Sequence, residues 1–393
     1  MPAHASPAPA RRGLTLAALA LLAAGGVGGA LLASGDGDDG DDVVVPTTAT
    51  ASTPATTSSS TTAPPPANGW ATEGLLTFRG SATRTYHGEG PVPSDPEVLW
   101  SYPGRSGGLC AESTVGGETT TWCGSGWTGQ PSVFERDGRT WVVFGAYDRH
   151  VHFVDAATGD DILPPFPTGD IIKGSVTVDP DGYPLVYSGS RDDSLHVIAF
   201  DRPEPVELWE LPADAVSPTM WNNDWDGSPL VIDGQLVEGG ENSQLHIVDL
   251  HRSYGADGLV AVAPELVFNA PGWDDQLLAD VGDRNVSIES SVAVHDGVAY
   301  FSNSGGLVQG WDLETHERVL RFWSGDDTDA TVVVDDEGYL YVASEYERGN
   351  ARSEEVGQLL KLDPRRPDDP VVWSVVDTDE RPEIGRASCR ERV

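Results

Sequence analysis

Five polar residues occupy one slot of a phrase that this 393-residue chain repeats: Gln130, Lys173, Asp226, Glu289 and Asp329. Each stands two residues before a hydroxyl residue, respectively Ser132, Ser175, Ser228, Ser291 and Thr331. One amide, one ammonium and three carboxylates brought to a common point could bind a cation, a sugar or a peptide terminus through charge and hydrogen bonding. Asn222, Asn223 and Asp224, next to Trp221, precede the Asp226 slot and extend the same polar set. The alternative is that Lys173 and its acidic neighbours satisfy one another across a wet channel. Either reading requires that the elements carrying these residues converge.

Those elements are strands. The aligned hydroxyl residues recur at intervals of 43, 53, 63 and 40 residues, a period that marks a repeat architecture. Within each unit, runs such as VTVDPDGYPLVYSG and VAVHDGVAYFSN alternate apolar and polar residues, and Asp-Gly pairs supply hairpin turns. No sustained helical period follows the N-terminus. The fold class is therefore all-β: a β-propeller of four-stranded blades with five clear repeats. Inner strands of such blades begin near the axis, so the five slots are expected to ring one mouth of the central channel. Each unit ends on an aromatic, Phe166, Trp209, Phe268, Trp323 or Trp373, expected to pack between blades.

Composition sets the surroundings. An apolar run from Gly13 to Ser34 follows Arg11-Arg12 and precedes GDGDDGDD, which fits a signal anchor with residues 1–12 inside and the rest outside. Cleavage as a signal peptide is the alternative, giving a secreted form. Residues 35–68, acidic and then Ser/Thr/Pro-rich, read as a disordered linker. The propeller spans 69–382. A net charge of −38 disfavours a nucleic-acid partner. Cys110 and Cys123 bracket a polar loop and are expected to form a disulfide in an oxidising compartment. The string EIGRASCRERV, residues 383–393, is what translation of a common sequencing-library adapter gives. It is expected to be non-native, with the natural chain continuing past Pro382 and the ring truncated from seven or eight blades. Pairing of a late strand with Leu76–Arg79 is one way for such a ring to close.

The repeats, with Asp155-Ala156-Ala157-Thr158-Gly159 and the blade-end tryptophans, resemble the pyrroloquinoline-quinone-like β-propeller repeat family. Asp312-Leu313-Glu314-Thr315-His316 keeps the Asp and Thr of that motif, whereas Asp201, Asp249 and Asp363 keep only the Asp. Residues 75–103 also look like the lead-in strand of such proteins. The resemblance implies a bacterial propeller, either a quinone- and calcium-dependent oxidoreductase or a non-catalytic, membrane-anchored scaffold. Quinoproteins carry vicinal cysteines, and this chain has no Cys-Cys pair. Trp311-Asp312 is a single occurrence and does not make a WD repeat.

Other candidates have structural readings. His152, His196 and His246 recur in one slot of three blades, so they cannot share one metal and are expected to form structural hydrogen bonds. No metal site is assigned. Ser290, Ser291 and His295 lack a nucleophile-elbow context. Taken together, the residues point to a membrane-tethered extracytoplasmic scaffold without catalysis or cofactor, its partner a protein or glycan. Loops Asp224–Gly227, Ser253–Asp257 and Glu345–Glu355 are the expected contact surfaces. The alternatives are the quinone/calcium oxidoreductase and a cell-envelope polysaccharide-binding or polysaccharide-active protein.

Overall fold

The computed structural model describes residues 72–376, except 89, 105–107 and 127–128. The chain divides into two units, Met1–Thr61 and Thr62–Val393, and every described residue belongs to the second. The expected signal anchor, the whole of the linker and the terminal string lie outside the described residues. Among the described residues, no helix is long and apolar enough to cross a membrane.

Five antiparallel sheets follow one another along the chain, each a meander of four consecutive strands, and the first gains a fifth strand from Gly74–Leu75. Blade 1 runs from Ser132 to Pro167, blade 2 from Thr177 to Pro212 and blade 3 from Leu230 to Pro271. Blade 4 runs from Ala293 to Trp323 and blade 5 from Val333 to Val375. Asp-Gly pairs turn the first hairpin of three blades: Asp137-Gly138, Asp233-Gly234 and Asp296-Gly297 all have positive φ. That geometry matches the twist of paired strands and explains the residue choice.

Successive side chains point to opposite faces of a strand, and the middle strands are buried on both, so successive blades bury them against each other. Phe134, Val143 and Phe153 of blade 1 meet Val178, Val186 and Ile198 of blade 2. Equivalent cores join blades 2 and 3, 3 and 4, and 4 and 5. Each fully buried Leu, Val or Phe contributes about 1.5–3 kcal/mol. Phe166, Trp209 and Phe268 lie against these cores as expected. Trp323 does not. It sits one residue beyond Phe322, on the opposite side of its strand, and packs with Trp273 and Leu277 beside the helix Asp275–Val281. Leu320 and Phe322 fill the core between blades 4 and 5 instead. Trp373 is 39 % exposed.

The chain fills its own axis. Gly74 and Leu75 pair with Phe134 and Val133 on the inner strand of blade 1. The carbonyl of Leu76 then accepts from Val178 N–H of blade 2 at 2.8 Å, Ala82 from Val294 N–H of blade 4 at 2.8 Å and Thr83 from Val334 N–H of blade 5 at 3.1 Å. Thr77 Oγ1 donates to Pro229 O, just ahead of the inner strand of blade 3, at 3.1 Å. Arg84 is fully buried among these strands. It donates to Val292 O at 2.8 Å, Ser228 O at 3.0 Å, Phe78 O at 3.0 Å and Thr77 Oγ1 at 2.8 Å. Burial lowers its pKa to about 10, with Glu238 opposing that shift, so it stays charged at neutral pH. Leu76–Arg79 is thus an axial segment held by inner strands, not an edge awaiting a late outer strand.

Cys110 and Cys123 are bonded and stand opposite each other in a two-stranded hairpin, Cys110–Val115 with Glu118–Cys123. The segment read as a polar loop is therefore paired strand. Replacing the axial guanidinium removes its four hydrogen bonds, those to Val292 O and Ser228 O among them fully buried, and leaves Glu238 without its counter-charge, so Arg84→Met is expected to cost about 3–5 kcal/mol. Urea unfolding measures it, and a loss below about 1 kcal/mol would remove Arg84 as a hub.

Candidate functional site

The hydroxyl of the repeated phrase sets the spacing at the axis. Gln130 N–H donates to Ser175 Oγ at 2.8 Å, Ser228 N–H to Ser291 Oγ at 2.9 Å, and Ser291 N–H to Thr331 Oγ1 at 3.1 Å. Each bond ties one blade to the next where the inner strand begins. The residues just ahead of these strands consequently meet at one mouth. Lys173 Nζ lies 3.3 Å from Glu241 Oε1 and 3.6 Å from Asp224 Oδ2, and it contacts Asp226 Oδ2 as well. Arg191 Nε donates to Asp224 Oδ2 at 2.6 Å. Across the mouth, Glu289 accepts from Ser287 Oγ at 3.1 Å and Asp329 from Ser304 Oγ at 3.3 Å. A cavity of about 570 Å³ reaches Asp226, Glu289 and Asp329, with Phe78, Pro131, Val333, Tyr341 and Leu359 among its apolar walls.

Of the eight expected residues, Lys173, Asp224, Asp226, Glu289 and Asp329 form this charged group. Gln130 lines the cavity but serves the axial segment: its Nε2 donates to Thr77 O and its Oε1 accepts from Arg79 N–H, both at 3.1 Å. Asn222 Oδ1 caps the local turn by accepting from Asp224 N–H at 2.8 Å, and Asn223 is partly buried next to it. Asp224–Gly227, expected as a surface loop, is buried, because its carboxylates turn inward to Lys173. Ser253 and Tyr254 are exposed in a short hairpin with Val260–Ala261, and Glu345–Glu355 runs into the helix Ala351–Val356.

Glu241, Arg191 and Asp327 complete the group, and the first two escape the sequence reading. Arg191, Glu241, Ser304 and Glu345 share one slot after the second strand of their blades. Their backbone N–H groups donate to Ile171, Asp224, Ser287 and Asp327, each two residues before a mouth position. Aligning the second-strand turns as well as the inner strands would have found them.

Burial opposes the charges of Lys173, Arg191, Asp224, Glu241, Glu289 and Asp327. It alone would lower Lys173, but Asp226 and Glu241 outweigh it and hold the ammonium above its ordinary range. Burial pushes Glu241 well up, with Asp226 adding to it, and pushes Asp224 up against the pull of Lys173. Glu289 is raised to about 8 by burial, Asp329 and Asp226. Asp327 is raised to about 7, chiefly by burial, with Glu289, Glu347 and Glu345 adding to it. Asp224, Asp226, Glu241, Glu289, Asp327 and Asp329 thus surround Lys173 and Arg191 with more carboxylates than the two cations neutralise. Such a group retains protons near neutral pH and attracts further positive charge.

Oxygens of Asp224, Asp226 and Glu241 lie close enough together to hold a metal ion. Lys173 Nζ sits among them and supplies the positive charge an ion would bring. Each of the three histidines bonds a partner within its own blade, and His196 also stands with Glu207 and Glu210 close enough to hold a metal ion. His152 Nε2 bonds Asp148 at 3.1 Å, His196 Nε2 bonds Asp192 at 3.1 Å and His246 Nε2 bonds Asn242 at 3.3 Å, each partner four residues earlier in its own blade. Ser290 Oγ donates to Ser302 O at 3.0 Å and Ser291 accepts from Ser228, so both hydroxyls serve the axis.

No family model matches this chain, and a search of curated proteins finds no match. Among solved structures, the crystal structure of BamB from Moraxella catarrhalis is similar, at 13 % identity and a TM-score of 0.38. The match covers 59 % of this chain and 66 % of that one. The likeness is distant.

Two substitutions separate the charges. Lys173→Met strands buried carboxylates and is expected to cost about 3–5 kcal/mol at pH 8, and less at pH 5, where protonation replaces the lost ammonium. Glu289→Gln is expected to act oppositely. The raised pKa means the folded state keeps a proton that the unfolded chain releases. Stability therefore falls as pH rises from about 4.3 through about 8. The variant should be more stable at pH 8 by roughly 1–3 kcal/mol and have a flatter pH profile. Urea midpoints at both pH values check the pair, and equal losses for both variants would contradict the arrangement.

Proposed function

We propose that this chain is a non-catalytic binding scaffold, a membrane-tethered extracytoplasmic propeller whose acidic mouth takes a cationic segment of a protein partner. The observation that carries this reading is the surplus of buried carboxylates around Lys173 and Arg191 at the point where five blades converge. A lysine or arginine side chain entering from the mouth meets Glu289 and Asp329, which line the cavity there. The apolar walls of the adjoining cavity accommodate its aliphatic stem.

Two further features support the reading. Residues 74–84 occupy the axial space in which a propeller would seat a planar cofactor, which weighs against the quinone-dependent alternative. The Cys110–Cys123 bond suits an oxidising compartment outside the cytoplasm. The run at Gly13–Ser34, flanked by arginines and acids, supplies the tether.

Calorimetric titration with a lysine tetramer, calcium and a neutral oligosaccharide tests the assignment. Binding of the tetramer at pH 8, weakened at least about tenfold in Glu289→Gln or Asp329→Asn, is expected; that factor corresponds to losing one charge-assisted contact. Selective binding of the oligosaccharide, or cofactor absorbance with dye reduction after reconstitution with calcium and the quinone, would contradict it.

A further inference from the structure

Three histidines share one slot and one bond but differ at the second ring nitrogen. In each, Nε2 faces the side chain four residues earlier, Asp148, Asp192 or Asn242. His152 Nδ1 meets the Tyr102 hydroxyl at 2.9 Å, and His246 Nδ1 is buried with no hydrogen-bond partner. His196 Nδ1 instead faces carboxylates. Glu207 Oε1 lies 2.5 Å away, and Glu210 stands directly opposite on the paired strand.

A β-bulge assembles this set. In blade 2 His196 pairs with Glu210, Val197 with Trp209 and Ile198 with Glu207, so Leu208 is the extra residue of the outer strand. Plain alternation from Glu210 would put Leu208 on the face of His196 and turn Glu207 away from it. With the bulge, Trp209 and Leu208 both pack toward blade 3, and Glu207 joins Glu210 on the face toward blade 1. Ile198 of that face lies in the core with blade 1, and the Phe166 ring of blade 1 stands edge-on to His196 at 6.3 Å. The imidazole is therefore held. Its side chain is 6 % exposed, whereas that of Glu207 is 35 % exposed and has room to draw back as an ion enters.

Asp192 decides which nitrogen is available. Its carboxylate accepts Gly169 N–H at 2.6 Å and can only accept from His196, so Nε2 carries a hydrogen and Nδ1 presents its lone pair to Glu207 and Glu210. A lone pair and two carboxylates converging on one point require a positive charge among them, a second ring proton or a metal ion. Among the described residues, neither Glu207 nor Glu210 forms an ion pair with a lysine or arginine. Donor atoms of His196, Glu207 and Glu210 all lie within 4.8 Å of one another, a span that one ion can bridge.

We propose that His196, Glu207 and Glu210 are the ligands of a zinc ion at the outer edge of blade 2, with Asp192 orienting the imidazole and water in the fourth position. One imidazole nitrogen and two carboxylate oxygens suit zinc, and three protein ligands with one water complete its tetrahedron. A carboxylate on the far nitrogen is the usual support of a zinc-bound histidine. Calcium and magnesium favour oxygen ligands and would leave the imidazole unused. The ion spans the third and fourth strands at the bulge, where the ladder between them is interrupted. At the mouth, by contrast, Lys173 already stands among Asp224, Asp226 and Glu241.

Calorimetric titration of the full chain with zinc chloride, alone and with excess calcium chloride, tests the site. The unaltered chain is expected to bind a zinc ion that calcium does not displace. Glu207→Gln and Glu210→Gln, both at exposed residues, are each expected to weaken that binding by about tenfold or more, since removing a partner that only orients a ligand already costs about 10–100-fold. Glu241→Gln, at the mouth, is expected to leave it unchanged. Thermal unfolding gives a second readout: zinc raises the midpoint of the unaltered chain and of Glu241→Gln, and not that of the chain carrying both Glu207→Gln and Glu210→Gln. Absence of saturable zinc binding, binding unaffected by either glutamate substitution, displacement by calcium, or an equal loss in Glu241→Gln overturns the proposal.

Discussion

Five sheets that share no strands are held to one axis by a single extended segment of the same chain. Between Gly74 and Arg84 the backbone and two side chains reach the inner strand, or the residues leading into it, of every described blade. This constraint comes first because the inner strands of blades 2 and 5 are only two residues long. Their edge groups face the axis, and a buried N–H or C=O without a partner costs on the order of 1–3 kcal/mol. The segment satisfies those groups, and Arg84 gathers carbonyls from three separate parts of the chain.

The mouth depends on that arrangement. Once the inner strands are fixed around the segment, the residues two positions ahead of each Ser/Thr have little freedom over where they lie. Carboxylates from blades 3, 4 and 5 and a lysine from blade 2 are then held together at a density that solvent alone would not tolerate. The group answers in two ways, by placing Lys173 among three acids and by keeping protons on others. Electrostatic strain of this kind suits a recognition surface, because an incoming positive charge relieves a cost the fold already bears. Gln130, the uncharged member of the slot, is the one drawn into bonding the axial segment.

Periodicity made much of this readable. Hydroxyls of this slot at Ser175, Ser291 and Thr331 accept a backbone N–H from the preceding blade, so aligning Ser132, Ser175, Ser228, Ser291 and Thr331 finds the strands and the mouth together. The histidine slot yields to the same logic, each ring bonded to a partner four residues earlier. What occurs once is not readable in that way. Leu76–Arg84 has no repeat to be compared with, and its contacts run largely through backbone groups, which leave no mark on residue type. Trp323 misleads because a one-residue shift along a strand reverses the face. Glu241 and Arg191 differ in charge although they share a position, so residue type does not group them and only the alignment of the second-strand turns does.

The axial segment's role is most directly measured by native-state hydrogen exchange at Val178, Val294 and Val334, whose amides donate to Leu76, Ala82 and Thr83. If that segment holds the blades together, these three amides exchange only through global unfolding, with the full denaturant dependence of the domain. Exchange through local opening, at a free energy several kcal/mol below global stability, would mean that the blades hold one another without it.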